Sequence, residues 1–287
     1  MSVTAKARLK IIVSMAVFGT IGVFVRFIPL SSGELALYRA VLAAVLVGTY
    51  LIIGKQKICW SEVKKELPLL LLSGAAMGIN WILLFEAYKY TTVSIATLSY
   101  YFAPVIVTLV CPILFKEKLT AKQIVCFVMS TAGLVLIIGV GQAGGADSHL
   151  IGILLGLSAA VFYATVIVLN KFIKNVTGLH RTLLQFLAAV VVLLPYVACT
   201  GGVYLSGLNG IGWVNLLIVG LVHTGIAYCF YFAALKDLRG QEAAILSYID
   251  PLVAVIMSVT ILVEGITIFQ IVGGVLILGF TLWNELE

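Results

Sequence analysis

One feature constrains this chain more than any other: it is a succession of long apolar runs with almost nothing between them. The runs cover approximately Leu9–Ile28, Gly33–Ile53, Leu67–Tyr88, Thr92–Phe115, Leu119–Val140, Leu150–Lys171, Leu179–Cys199, Ile211–Leu235, Gln241–Val263 and Ile266–Trp283. A helix rises about 1.5 Å per residue, so about 20 residues cross the ~30 Å of hydrocarbon in a bilayer. Each run is near that length, and together they leave no stretch for a soluble domain. In lipid the backbone is satisfied only within helices or closed barrels, and the runs lack the period-2 alternation of barrel strands. The expected fold class is an all-α membrane protein with ten transmembrane helices. Composition points the same way: 62% of residues are apolar and 10% charged. A soluble domain carries about 25% charge, so a soluble globule, a disordered chain and a disulfide scaffold are excluded.

The formal charge of +6 is explained by where the basic residues fall. With the N-terminus in the cytoplasm, the short gaps on the inner side hold 15 of the 18 Lys and Arg, while Arg26 and Lys89 lie outside and Arg39 lies within the second run. Cytoplasmic loops attract Lys and Arg, so this split places both termini inside. No basic patch with interleaved aromatics is present, so the lipid bilayer is the expected partner and nucleic acid is not. The N-terminus, with Lys6, Arg8 and Lys10 ahead of an apolar stretch to Val25, has the outline of a signal peptide. No A-x-A-like site follows, and a related stretch recurs in mid-chain, so it is read as the first span. Cys59, Cys111, Cys126, Cys199 and Cys229 form no C-x-x-C pair and read as free packing thiols.

The chain also repeats itself. At a shift of 147 (251 − 104), Gly78 falls on Gly225, Phe85 on Phe232, Ala87 on Ala234 and Lys89 on Lys236. Ala96 then falls on Ala243, Tyr101 on Tyr248, Pro104 on Pro251, Glu117 on Glu264, Thr120 on Thr267 and Gln123 on Gln270. Chance apolar similarity does not align Pro, Glu, Thr and Gln. The halves are 1–141 and 149–287. Five spans per half is an odd number, so the second half enters the membrane upside down: Lys89 outside corresponds to Lys236 inside. Inverted repeats mark many secondary transporters, because two similar bundles in opposite senses can exchange conformations at similar energy.

Phe85-x-Ala87, Ala96, Pro104 and Glu117, repeated as Phe232-x-Ala234, Ala243, Pro251 and Glu264, resemble the doubled EamA domain, the ten-helix branch of the drug/metabolite transporter superfamily. The resemblance spans nearly the whole chain. It implies a 5+5 helix fold, a central cavity between the halves and alternating-access transport of a small metabolite, amino-acid-like or drug-like. It implies no particular substrate.

Polar and ionisable residues within spans are costly and are the candidates for contact with cargo. Asp250 lies about ten residues into the ninth run, directly before Pro251, which removes a backbone donor. It can bind a cation, exchange a proton, pair with Arg39 or His223, or serve as a structural acid beside the kink. Arg39 lies roughly 9 Å in from the outer end of the second run. It can clamp a carboxylate or phosphate, snorkel outward, or pair with Glu34. His223, in the eighth run, either couples proton flow or is a neutral histidine bonded to a neighbouring helix. Asn80, Trp81, Tyr100, Tyr101, Gln185, Tyr228 and Tyr248 are either cavity walls or glue between helices; Trp81 and Tyr228 are repeat partners, as are Tyr101 and Tyr248. Asp250 and Arg39 together suit a zwitterion such as an amino acid. Glu86 is expected to pair with Lys89, and Glu117 and Glu264 to act structurally at loops, although Glu-x-x-Thr is the reverse of a capping box. Gly133, Gly139, Gly273, Gly274 and Gly279 let spans five and ten pack closely or meet in a homodimer.

There is no Walker loop, no His-Glu-x-x-His, no Cys/His metal cluster and no Gly-x-Ser-x-Gly elbow. The expectation is therefore no enzyme and no cofactor, but a multi-pass transporter of the cell inner membrane that moves a small-molecule substrate. The rival reading is a non-transporting membrane protein, either a lipid-modifying enzyme or a complex subunit.

Overall fold

The computed structural model describes residues 3–56, 58–115, 120–139, 146–176, 178–202, 205–235, 237–238, 243 and 246–286. Glu117 and Lys236, with Lys57, Lys116, Lys118 and Arg239, lie outside the described residues. Among the described residues the regular structure is helical, without strands. The helices are α1 (Val3–Arg26), α2 (Ser32–Ile53), α3 (Trp60–Tyr90), α4 (Val93–Tyr100), α5 (Ala103–Phe115), α6 (Ala121–Gly139), α7 (Ala146–Phe172) and α8 (Gly178–Thr200). A 3-10 turn at Leu205–Gly207 leads to α9 (Gly210–Leu217), a π-helical segment (Ile218–Ile226), α10 (Ala227–Leu235), α11 (Ile249–Thr260) and α12 (Ile268–Glu285). Seven helical stretches are long and apolar enough to cross a membrane, and three more, Ala121–Ile137, Ile249–Thr260 and Ile268–Asn284, are apolar but shorter. The chain is an integral, multi-pass membrane protein.

Local chemistry sets the boundaries. Ser31 and Glu34 form a reciprocal capping box at the start of α2. Thr267 and Gln270 form another at α12, and their repeat partners Thr120 and Gln123 exchange the same two bonds at the start of α6. The fourth apolar run breaks between α4 and α5 at Tyr101-Phe102, and the corresponding turn at Tyr248 precedes α11. The cause is the proline three residues on. Pro104 and Pro251 lack the N–H that a helix would direct to the carbonyls of Tyr100 and Ser247, and their rings crowd those carbonyls.

Packing is mainly between the halves. α3 lies on α7 and α8, α2 on α8 and the π segment, α1 on α10 and α11, and α6 on α12. Small residues permit this. A methyl on Gly133 would sit 2.6 Å from the Gly273 carbonyl oxygen, and one on Gly273 would sit 2.4 Å from that of Gly133. Spans five and ten therefore use these two glycines against each other within one chain. Long-range bonds within the chain sort the helix ends into two groups. Arg26, Ser32, Glu86, Thr91, His149 and Glu264 meet at one end of the bundle. Glu66, Cys111, Lys122, Lys171, Lys174 and Leu286 meet at the other.

Candidate substrate-binding site

The two helix breaks meet at Asp250. The Tyr101 hydroxyl, at the first break, donates to the Asp250 carboxylate at 2.5 Å; Asp250 follows the second break by two residues. α1 closes on this point through Gly19, where a methyl would lie 2.5 Å from the Asp250 carbonyl oxygen. Asp250 shares a helix face with Ala254 and Ser258, both buried, and lies opposite Leu252 and Ile256, which face outward at 53% and 57% exposure. Asp250 itself is only half-buried.

Tyrosines gather around this carboxylate. Tyr100 stacks on Tyr163 of α7 with ring centres 5.1 Å apart and meets Tyr101 edge-on at 5.9 Å. Tyr228 of α10 touches Phe18 of α1 and Phe186 of α8 at 5.2 and 5.4 Å. Tyr100, Tyr101, Tyr163 and Tyr228 all lie within electrostatic reach of Asp250. Tyr163 shares a face with buried Ala159, Ala160 and Gly156, yet is 37% exposed. Tyr100, Tyr101 and Tyr228 are half-buried in the same way.

Toward the Arg26 end two ionisable side chains are enclosed by protein. Arg39 is enclosed at 5% exposure, so it does not snorkel. Its Nε donates to the Thr224 hydroxyl at 2.6 Å, and its guanidinium lies 4.4 Å from the Trp81 ring and 5.5 Å from the Phe85 ring. Thr224 is aimed by the π-helical segment, where its hydroxyl donates to the Val219 carbonyl five residues back. His223, from the same segment, is also enclosed. Its Nε2 lies 2.8 Å from the Thr20 hydroxyl and its Nδ1 3.2 Å from the Ile218 carbonyl, which fits the bonded-histidine reading. The opposite charges that suit a zwitterion lie within electrostatic reach of each other but differ in exposure: Asp250 is half-buried, and Arg39 is enclosed against Trp81 and Phe85.

The remaining candidates divide. Asn80 donates to the Ala159 carbonyl at 2.6 Å, joining α3 to α7. Gln185 directs its amide to Ser73 and to Asn170, a network linking α3, α7 and α8. Tyr248 is 9% exposed and marks the second break. Glu86 accepts from Lys89 at 2.9 Å and from Ser32 at 2.6 Å, the pairing its position predicts. Glu264 accepts from Arg26 at 2.6 Å, from the Val93 N–H at 2.8 Å and from the Ser258 hydroxyl at 2.5 Å, so it ties three helices together. A cavity of about 310 Å³ opens at this end, with Val25, Arg26, Leu35, Phe85, Tyr88 and Lys89 in its wall. Phe85 lines it on one side and faces Arg39 on the other. The cysteines described are free.

Sequence reasoning missed Tyr163, Thr224, Phe186 and Glu66. Glu66 is buried and accepts from the N–H groups of Lys174, Asn175 and Val176. Tyr163 and Thr224 carried a usable signal, because each is polar within an apolar run on the face of its helix that holds the small residues.

The fold is that of a multi-pass helical bundle with polar side chains gathered within its apolar depth. The model of the EamA-like transporter family matches residues 5–139 and 150–284, and the chain belongs to that family. It is 31% identical over 274 residues to the uncharacterized transporter YxxF of Bacillus subtilis, covering 94% of this chain and 86% of that one. It is 27% identical to an uncharacterized transporter of Archaeoglobus fulgidus, covering 96% and 95% of the two chains. It is 26% identical to protein PecM of Dickeya dadantii, covering 88% and 82%. Among solved structures, a crystal structure of a protein 17% identical in sequence superposes with a TM-score of 0.67, covering 96% and 95% of the two chains, so the fold is shared.

Proposed function

We propose that the chain is a secondary transporter that moves a small metabolite by alternating access. Its ten spans form two inverted repeats, 1–141 and 149–287, with both termini on the cytoplasmic side of the cell's inner membrane. The cargo chamber lies between the repeats at the level of the helix breaks. One observation carries this reading: Asp250, Tyr100, Tyr101, Tyr163 and Tyr228, drawn from both repeats, sit on inward helix faces and yet are not sealed by protein. Discontinuous helices at mid-membrane are where transporters of this build hold cargo.

Three pairs of repeat partners differ in burial, as expected if the two halves alternate. Phe85 is 1% and Trp81 is 4% exposed, while Phe232 and Tyr228 are half-buried. Gln270 is buried and Gln123 is half-buried. In each pair the copy nearer the Arg26 end is the sealed one. That end is the outer face in this reading, where the Arg26–Glu264–Val93 cluster ties three helices together beside the cavity.

The test is flux. Ligands are found by the rise in melting temperature of the detergent-purified protein against a metabolite library, since binding to the folded state alone stabilises it. Those ligands are then followed into proteoliposomes. Wild-type protein should move at least one, and Asp250→Asn should abolish its movement while folding normally. Binding without flux, or full flux in Asp250→Asn, overturns the proposal.

A further inference from the structure

We infer that the cargo is an organic cation with an aromatic or apolar body, held by Asp250 as counter-charge within a cage of Tyr100, Tyr101, Tyr163 and Tyr228. The inference rests on the transport reading above and names its substrate class.

An occupant of the chamber would meet few charges. Of the ionisable side chains at that depth, Asp250 is half-buried, whereas Arg39 and His223 are 5% and 1% exposed. Arg39 is stacked on Trp81 and bonded to Thr224, and His223 is held between Thr20 and Ile218. Asp250 is therefore the one of these three charges open to direct contact, with Arg39 enclosed but within electrostatic reach of it. One of its oxygens accepts from Tyr101, and among the described residues no Lys or Arg forms an ion pair with it. An ammonium group supplies what such a carboxylate lacks, a charge-assisted donor at its other oxygen.

The walls fit the same class. The face of an aromatic ring attracts a cation, most strongly where water is excluded. Tyr163 is the ring left most open, at 37% exposure, and Tyr100 stacks behind it to fix its orientation. Phe18 and Phe186 pack against Tyr228 and extend the aromatic wall toward α1 and α8, which suits an apolar body. An anionic cargo would face Asp250 with no accessible cation. A zwitterion would place its carboxylate in that same field, while Arg39 is enclosed and already engaged by Thr224 and Trp81.

The experiment uses three probes of one shape and different charge: phenethylamine (cation), phenylalanine (zwitterion) and hydrocinnamate (anion). Full-length protein in detergent is titrated with each at neutral pH, with melting temperature as the readout. Phenethylamine should stabilise the wild type more than either other probe. Asp250→Asn should weaken its binding roughly 10- to 100-fold, the range expected for loss of a hydrogen bond to a charged group. Should that variant fail to fold, Tyr163 provides a second reading: Tyr163→Phe should keep amine binding and Tyr163→Leu should weaken it. Stronger stabilisation by phenylalanine or hydrocinnamate, undiminished amine binding in Asp250→Asn or Tyr163→Leu, or no response to phenethylamine at millimolar concentration overturns the assignment. Proteoliposome flux of the same probes keeps the two claims apart. Amine binding without flux removes the transport reading and leaves the cation site standing, whereas phenylalanine flux without amine binding does the reverse.

Discussion

The Arg39 guanidinium is the most exacting side chain in the molecule. A buried cation is tolerated only where its donors are met, and Thr224 meets Nε while Trp81 and Phe85 cover the planar group. Thr224→Val keeps the shape and removes the acceptor. It should lower stability by about 1–3 kcal/mol, the cost of leaving a buried donor unmade, and this is read from thermal denaturation of the full chain in detergent. An unchanged melting temperature would mean that the bond contributes nothing. The Asn80 amide, by comparison, donates to a backbone carbonyl between two helices. Asn80→Leu should cost only about 0.6–1.7 kcal/mol, because unfolded helices in lipid also find partners for their polar groups. Arg39 was legible in the sequence as a charge in an apolar run, but its partner was not. Thr224 lies 185 residues away and reaches Arg39 only because a π segment turns it inward.

At the scale of the elements, the prolines and glycines do the shaping. Pro251 opens the helix where Asp250 and Tyr248 sit, and Pro104 does the same at Tyr101. Pro251→Ala restores a backbone donor and permits a straight helix. It should leave the protein folded and cut flux of its ligand at least roughly tenfold, an effect of about 1.4 kcal/mol on the transport barrier; full flux would show that the break is dispensable. Gly133 faces the opposite requirement. Its contact with the Gly273 carbonyl leaves no room for a side chain, so Gly133→Leu should separate α6 from α12 and cost about 1–3 kcal/mol or more in stability. The sequence carried the glycines and prolines openly. It also carried the capping boxes Thr120-x-x-Gln123 and Thr267-x-x-Gln270, which are easily passed over when attention falls on the Glu-x-x-Thr order just before them. The two-part fourth span was not legible, because an apolar run reads the same whether its helix is whole or broken.

For the whole molecule, the proposal is a question of sidedness. The five native cysteines are first replaced, and single cysteines are then placed at Gln56 and at Ser206, both exposed in short connections. In intact cells a membrane-impermeant maleimide should label Ser206→Cys and spare Gln56→Cys until the membrane is opened. Equal labelling of both would contradict the inverted arrangement, and the reverse order would contradict the cytoplasmic placement of the termini.

Sequence by itself determined the membrane setting, the apolar helices, the duplicated pattern and the short set of polar side chains that lipid does not tolerate without cause. These follow from local quantities: hydropathy, chain length per ångström and charge between runs. Only the tertiary structure decided which of those side chains share a space. Asp250 and Arg39 look equivalent along the chain as lone charges in apolar runs. Packing of α3 and α8 sealed Arg39 beneath Trp81 and Phe85, and the paired breaks left Asp250 open beside four tyrosines. Burial is set by neighbours distant in sequence, so no periodicity along one helix can report it.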